Sequence, residues 1–124
     1  MEYLLRTPRA NAVEAELRKA PFDLHVPALC DVEVAAVLRR TLLAQRLTAD
    51  RAAAALDDYL DLPLSRHGHQ ALLARILVLR DNFSAYDAAY VALAERLGAV
   101  LLTADAPLAR AVRAHLGLAV VGIG

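Results

Sequence analysis

The hydrophobic positions of the 124-residue chain change period along its length, and proline, glycine and capping residues mark the changes. Ala12, Val13, Leu17 and Ala20 fall at helical spacing with Pro8 near the start, so Pro8–Lys19 reads as an amphipathic helix. Leu24–Val26 makes a short strand. Pro27 opens a second helix to about Gln45, and Thr48 caps a third that runs through Ala52–Ala55 to Tyr59. Leu60–Leu64 reads as a strand interrupted by Pro63, which confines it to a sheet edge or strand end because proline has no N–H to give a ladder. Gly68–Arg80 and Ser84–Leu97 are further helices, the second stopped by Gly98. Ala99–Thr103 is a continuous apolar strand, Ala106–Leu116 a last helix and Ala119–Ile123 a final strand.

Strands alternating with helices predict βαβ units, hence an α/β fold with a parallel sheet covered on both faces. The length predicts one domain over residues 1–124, and no stretch resembles a linker. One element is absent from the pattern. A doubly wound sheet has a long hydrophobic strand at its centre, and this chain opens on Met1-Glu2-Tyr3-Leu4-Leu5-Arg6, which reads as the tail of an element. The first central strand is therefore expected to be missing.

Composition narrows the function classes. The hydrophobic share is 58%, much of it alanine, and only 5% of the chain is aromatic, which indicates a helix-rich domain. No apolar run approaches the ~18 residues of a membrane span, and the N-terminus lacks a secretory pattern. The single cysteine, Cys30, forms no internal disulfide, which fits a reducing cytoplasm. With 14 basic and 14 acidic residues the formal net charge is zero, so a nucleic-acid role has to come from a local site. Every base except Lys19 is Arg, the residue suited to forked contacts with phosphate or carboxylate.

In open α/β sheets ligands gather at the carboxyl ends of strands, and three acids stand there. Asp105 follows the strand ending at Thr103, Asp87 lies in the first turn of the helix opened by Ser84, and Glu33 lies early in the helix opened by Pro27. Convergent carboxylates suit a hard cation such as Mg²⁺ or Mn²⁺, which can clamp a phosphodiester and activate water. Each acid also has a simpler reading. Ser84-x-x-Asp87 is a capping-box pattern, Asp105 before Ala106-Pro107 is a natural N-cap, and Glu33 suits a solvated helix face. Asp31, about 200° around the helix from Glu33, cannot share its site. His67-Gly68-His69 reads as a loop before a helix, His25 and His115 as surface or packing residues, and Cys30 is not placed as a nucleophile. Arg6, Arg9, Arg39, Arg40 and Arg80 could rim an acidic pocket, although most suit a solvated face.

The run from Ser84 through Asp87 and Gly98 to Thr103-Ala-Asp105, with Leu108-Ala109 after it, resembles the PIN-domain ribonucleases, specifically VapC-type toxins of toxin–antitoxin pairs. Val26 to Arg40, with Glu33 inside it, is similar to the same family's helix carrying a metal-site Glu. The resemblance covers nearly the whole chain. It implies a three-layer α/β/α fold and a Mg²⁺- or Mn²⁺-dependent endoribonuclease, with Glu33, Asp87 and Asp105 as metal-binding and catalytic acids and Thr103 in the matching Thr-x-Asp. It further implies an RNA substrate, a cognate antitoxin that masks the acidic site, and a homodimer. The family's most central acid is an Asp at the end of the first strand, in a segment like Val-Asp-Ala-Ser that this sequence lacks. Met1 is accordingly expected to replace an upstream start about a dozen residues away, leaving the chain as written poorly stable and weakly active. The rival expectation is a non-catalytic PIN-like remnant that binds an antitoxin without cutting RNA. A phosphoacceptor domain of the response-regulator type lacks support, because no Lys follows the final strands.

Overall fold

The computed structural model describes residues 2–6 and 23–122. In chain order these residues form β1 (Glu2–Leu5), β2 (Asp23–Pro27), α1 (Leu29–Leu43), α2 (Ala49–Asp61) and β3 (Leu64–His67). A 3₁₀ turn at Gln70–Leu72 leads into α3 (Leu73–Val78), followed by α4 (Ala85–Leu97), β4 (Val100–Thr103), α5 (Ala106–His115) and β5 (Val120–Gly122). The expected helix at Pro8–Lys19 lies outside the described residues, as does Ile123.

All strand pairings are parallel, and the five strands lie in the order β3-β2-β1-β4-β5. The helices complete a three-layer α/β/α arrangement, as the alternation of elements predicts. The expectation of a missing central strand is overturned, because β1 occupies the middle of the sheet. Tyr3 pairs with Leu24 on one side and Val100 on the other, and Leu4 pairs with His25 and Leu101. Arg6 extends the ladder by donating its N–H to the Leu102 carbonyl at 2.8 Å. Neighbours on both edges satisfy the backbone of this short segment, and Leu4 is fully buried, which contributes on the order of 2 kcal/mol. Four residues suffice because the ladders, rather than the segment's own length or pattern, hold it extended.

Pro63 stands at the sheet edge and at a strand end, as expected, but the strand does not run through it from Leu60. α2 continues to Asp61, past Tyr59, and Leu62 turns extended (φ −66°, ψ 136°), the conformation that a following proline enforces. β3 therefore begins after Pro63, at the sheet edge where a proline next to a strand is harmless. Pro27, expected to open a helix, instead ends β2 opposite His67, and α1 starts at Leu29. The Leu29 N–H donates to Nε2 of His69 at 3.0 Å, so a side chain from a distant loop does the work of a cap. Gly68–Arg80 is likewise broken into the 3₁₀ turn and the six-residue α3.

The core centres on α4, in which every residue from Ala88 to Ala94 is buried. A helix apolar on all sides belongs in the middle of a fold, and its alanines let it lie close to β1, β2 and β4. Leu24, Val26, Leu101 and Leu102 meet it from the sheet region, and Val112 of α5 joins the same cluster. α4 begins on Ser84, whose Oγ accepts from the Asp87 N–H at 3.1 Å, and ends on Gly98 at φ 62°. There Ala99 N–H reaches back to the Ala94 carbonyl at 2.9 Å, a closure that needs the left-handed backbone glycine adopts freely. These two signals fix where α4 starts, and so where Asp87 stands.

Candidate active site

A helix that follows or precedes a parallel strand runs back along it, so the N-termini of α1 and α4 lie at the carboxyl edge of the sheet, where β1 delivers Arg6. Three elements thus bring Arg6, Glu33 and Asp87 together. Nη2 of Arg6 is 3.3 Å from Oδ1 of Asp87 and 3.7 Å from Oε2 of Glu33. The guanidinium carbon sits 4.5 Å above the centre of the Tyr90 ring, an orientation that adds cation–π attraction. The Tyr90 hydroxyl in turn donates to Oε1 of Glu33. Tyr90 is 1% exposed, and burial, followed by its bond to the Glu33 carboxylate, pushes its phenol far above the ordinary value of 10.0, so it remains a donor. Beside these residues opens a cavity of about 260 Å³, lined by Arg6, Cys30, Glu33, Val37, Arg40 and Tyr90 among others.

Of the three expected acids, Glu33 and Asp87 meet at Arg6, and Asp105 caps α5. Ser84 caps α4, but the Asp87 carboxylate meets Arg6 instead of completing a reciprocal capping box. Asp105 behaves as an N-cap: its Oδ1 accepts from the Leu108 N–H at 3.0 Å, and its own N–H donates to Oγ1 of the buried Thr103 at 3.0 Å. Among the described residues no group of three or more His, Cys, Asp or Glu side chains is placed to hold a metal ion. As folded, the donors do not fit a resident Mg²⁺ or Mn²⁺, since the paired carboxylates face an arginine and the third closes a helix.

Arg6, one of the arginines expected to rim an acidic pocket, does so, and Tyr90 is the contributor not among the expected residues. Tyr90 had a legible signal, because it lies three residues after Asp87 and so shares its helix face. What singles out Arg6 from the other arginines is the sheet, which alone bridges its distance in sequence from both acids. Asp31 takes the other side of α1, as expected. Nε of Arg66 approaches its two carboxylate oxygens at 3.0 and 2.9 Å, and the Tyr59 hydroxyl donates to Oδ1 at 2.7 Å. The histidines form a further contact, with Nδ1 of His25 2.9 Å from Nε2 of His67.

The PIN domain family matches residues 1–114 of the sequence. The chain belongs to the PIN-domain family, in its VapC group. Ribonuclease VapC3 of Mycobacterium tuberculosis is 43% identical over 112 residues, covering 90% of this chain and 80% of the relative. Ribonuclease VapC9 of the same organism is 44% identical over 98 residues, 79% of this PIN domain chain and 77% of its own. The fold is also that of VapBC2 from Rickettsia felis, solved bound to a DNA fragment from its promoter. There the TM-score is 0.64 at 14% identity with both chains fully covered, a likeness of PIN-domain architecture. None of the described helices is long and apolar enough to cross a membrane.

Proposed function

We propose that this chain is the toxin component of a type II toxin–antitoxin pair, an endoribonuclease that hydrolyses RNA phosphodiester bonds in the cytoplasm. The observation that carries the reading is the convergence of Glu33 and Asp87 at the carboxyl edge of a parallel sheet, in a chain whose relatives are named ribonucleases. Hydrolysis needs an acceptor for the proton of the attacking water, a role that suits a carboxylate held in place. Glu33 is oriented by the Tyr90 hydroxyl and Asp87 by the capped first turn of α4. Arg40 lines the same cavity and offers a guanidinium to a backbone phosphate. The proposed partners are RNA, a cognate antitoxin and a second copy of the chain. Val32 and Leu43 of α1 and Leu60 of α2 stand exposed and are open to protein contact.

A panel of labelled RNAs incubated with the protein and Mg²⁺ or Mn²⁺ tests the reading. Cleavage of at least one member is expected, with a loss of about 100-fold or more in Asp87→Ala, the scale of a missing acid–base group. The second reading, a non-catalytic PIN-like protein that binds an antitoxin, is favoured by the neutralisation of the acid pair by Arg6. Absence of cleavage across the panel together with retained antitoxin binding would select it.

A further inference from the structure

We infer that Arg6 is a built-in cationic plug: its guanidinium takes the position between Glu33 and Asp87 that a divalent cation needs, and the acid pair is closed to such an ion until the arginine leaves. The inference rests on reading that pair as the nuclease site. One atom, Nη2, reaches both carboxylates, and the Tyr90 ring that seats the guanidinium also holds Glu33 through its hydroxyl. Arg6 is tethered there by the sheet, since its N–H bonds Leu102 at the end of the central strand. The plug is therefore delivered by the fold and not by a loop elsewhere.

The seating is incomplete in a way that makes departure feasible. The contacts at 3.3 and 3.7 Å are longer than a charge-assisted hydrogen bond of about 2.8 Å. Nε of Arg6 is buried with no hydrogen-bond partner among the described residues, which opposes this rotamer by leaving a donor desolvated. The adjoining cavity of about 260 Å³ gives the side chain somewhere to go. Mg²⁺ is commonly held by one or two carboxylates together with waters and substrate phosphates, so Glu33 and Asp87 without the guanidinium between them are the protein's share of such a site. Arg6 and the ion compete for one position.

Mn²⁺ binding to the full chain, measured calorimetrically and by the shift in melting temperature with no RNA present, tests this directly. The parent protein is expected to bind Mn²⁺ weakly and to melt at nearly the same temperature with or without it. Arg6→Met, which keeps the aliphatic stem over Tyr90 and removes the charge, should bind at least about tenfold tighter, the scale of one partly screened charge contact. Adding Asp87→Asn to Arg6→Met should abolish that gain. Arg6→Gln serves in place of the Met variant if that protein fails to fold by circular dichroism. The plug is overturned if Arg6→Met binds no more tightly than the parent, whether both bind or neither does. It is equally overturned if the gain survives Asp87→Asn, or if the parent alone shows strong Mn²⁺ stabilisation that Asp87→Asn removes. Because RNA is absent, a failure of cleavage leaves this result standing, and a failure of the plug leaves the cleavage assay informative.

Discussion

Helix α1 carries two acids only two residues apart in sequence, and each meets an arginine and a tyrosine, yet the two clusters are built differently. Around Asp31 the carboxylate takes both oxygens to Nε of Arg66 at 2.9–3.0 Å and one to Tyr59 at 2.7 Å. Around Glu33 the arginine reaches its acids at 3.3 and 3.7 Å and leaves its own Nε without a hydrogen-bond partner among the described residues. The better-bonded cluster is also the more exposed one, with Asp31 at 44% against 31% for Glu33. A charge cluster that is more buried yet less satisfied stabilises little, because desolvation is only partly offset. The Asp31 cluster joins α1 to α2 and the edge strand β3, whereas the Glu33 cluster borders a cavity. The difference separates a lock from a site that can open.

Exchanging the acids should produce the largest contrast. Glu33→Gln is expected to lower RNA cleavage by about 100-fold or more, while Asp31→Asn leaves it within a few-fold. Equal losses in both variants would erase the distinction between the clusters. Stability should run the opposite way. Asp31→Ala leaves Arg66 and the Tyr59 hydroxyl without their shared acceptor and is expected to cost about 1 kcal/mol or somewhat more in urea denaturation, after allowance for solvent screening. Arg6→Met should stay close to the parent in the same experiment.

The Asp31 cluster also has an acid signature. Burial acts to raise the Asp31 carboxyl, but hydrogen bonds from Tyr59 and Arg66 and the arginine charge outweigh it and hold the group below its ordinary 3.8. A carboxyl depressed on folding contributes stability that is present above 3.8 and is lost as pH falls through its lower folded value. Acid titration of the melting temperature should show this loss in the parent and not in Asp31→Asn.

Asp105 sharpens the comparison from outside both clusters. As an N-cap of α5 its replacement by Ala should cost about 1 kcal/mol, or about 3–6 °C in melting temperature without metal. A variant that instead held or gained stability and lost a Mg²⁺-induced shift would return Asp105 to the acidic site. The smallest effect is expected at His67, whose imidazole is pushed below its ordinary 6.5, first by burial and then by the neighbouring His25. Below pH 6.5 the unfolded chain takes up the proton before the folded one, so stability should decline as pH falls through that region. The decline should be less than about 1 kcal/mol and flatter in His67→Asn.

Where a residue's role is set by its near neighbours in sequence, it was readable. Ser84 and Gly98 bound α4 as expected, Thr48 caps α2 through its hydroxyl, and Asp105 caps α5 in accordance with its simpler reading. Around Pro27 and Pro63 the element boundaries lie a few residues from where the pattern puts them, since proline marks a boundary without saying which element owns it. β1 departs furthest from the pattern. Four residues carry too short a pattern to announce a strand, and what makes Glu2–Leu5 one is hydrogen bonding to β2 and β4.

The sequence alone determined the alternation of strands and helices, the caps that place Asp87 and Asp105 at helix starts, and the motifs shared with PIN-domain ribonucleases, because each depends on interactions or patterns within a few residues. Tertiary structure decided that the opening residues fill the centre of the sheet and that Glu33 and Asp87 share one arginine. Those outcomes follow from parallel ladders and side-chain packing between segments remote in the chain, and local periodicity carries no record of them.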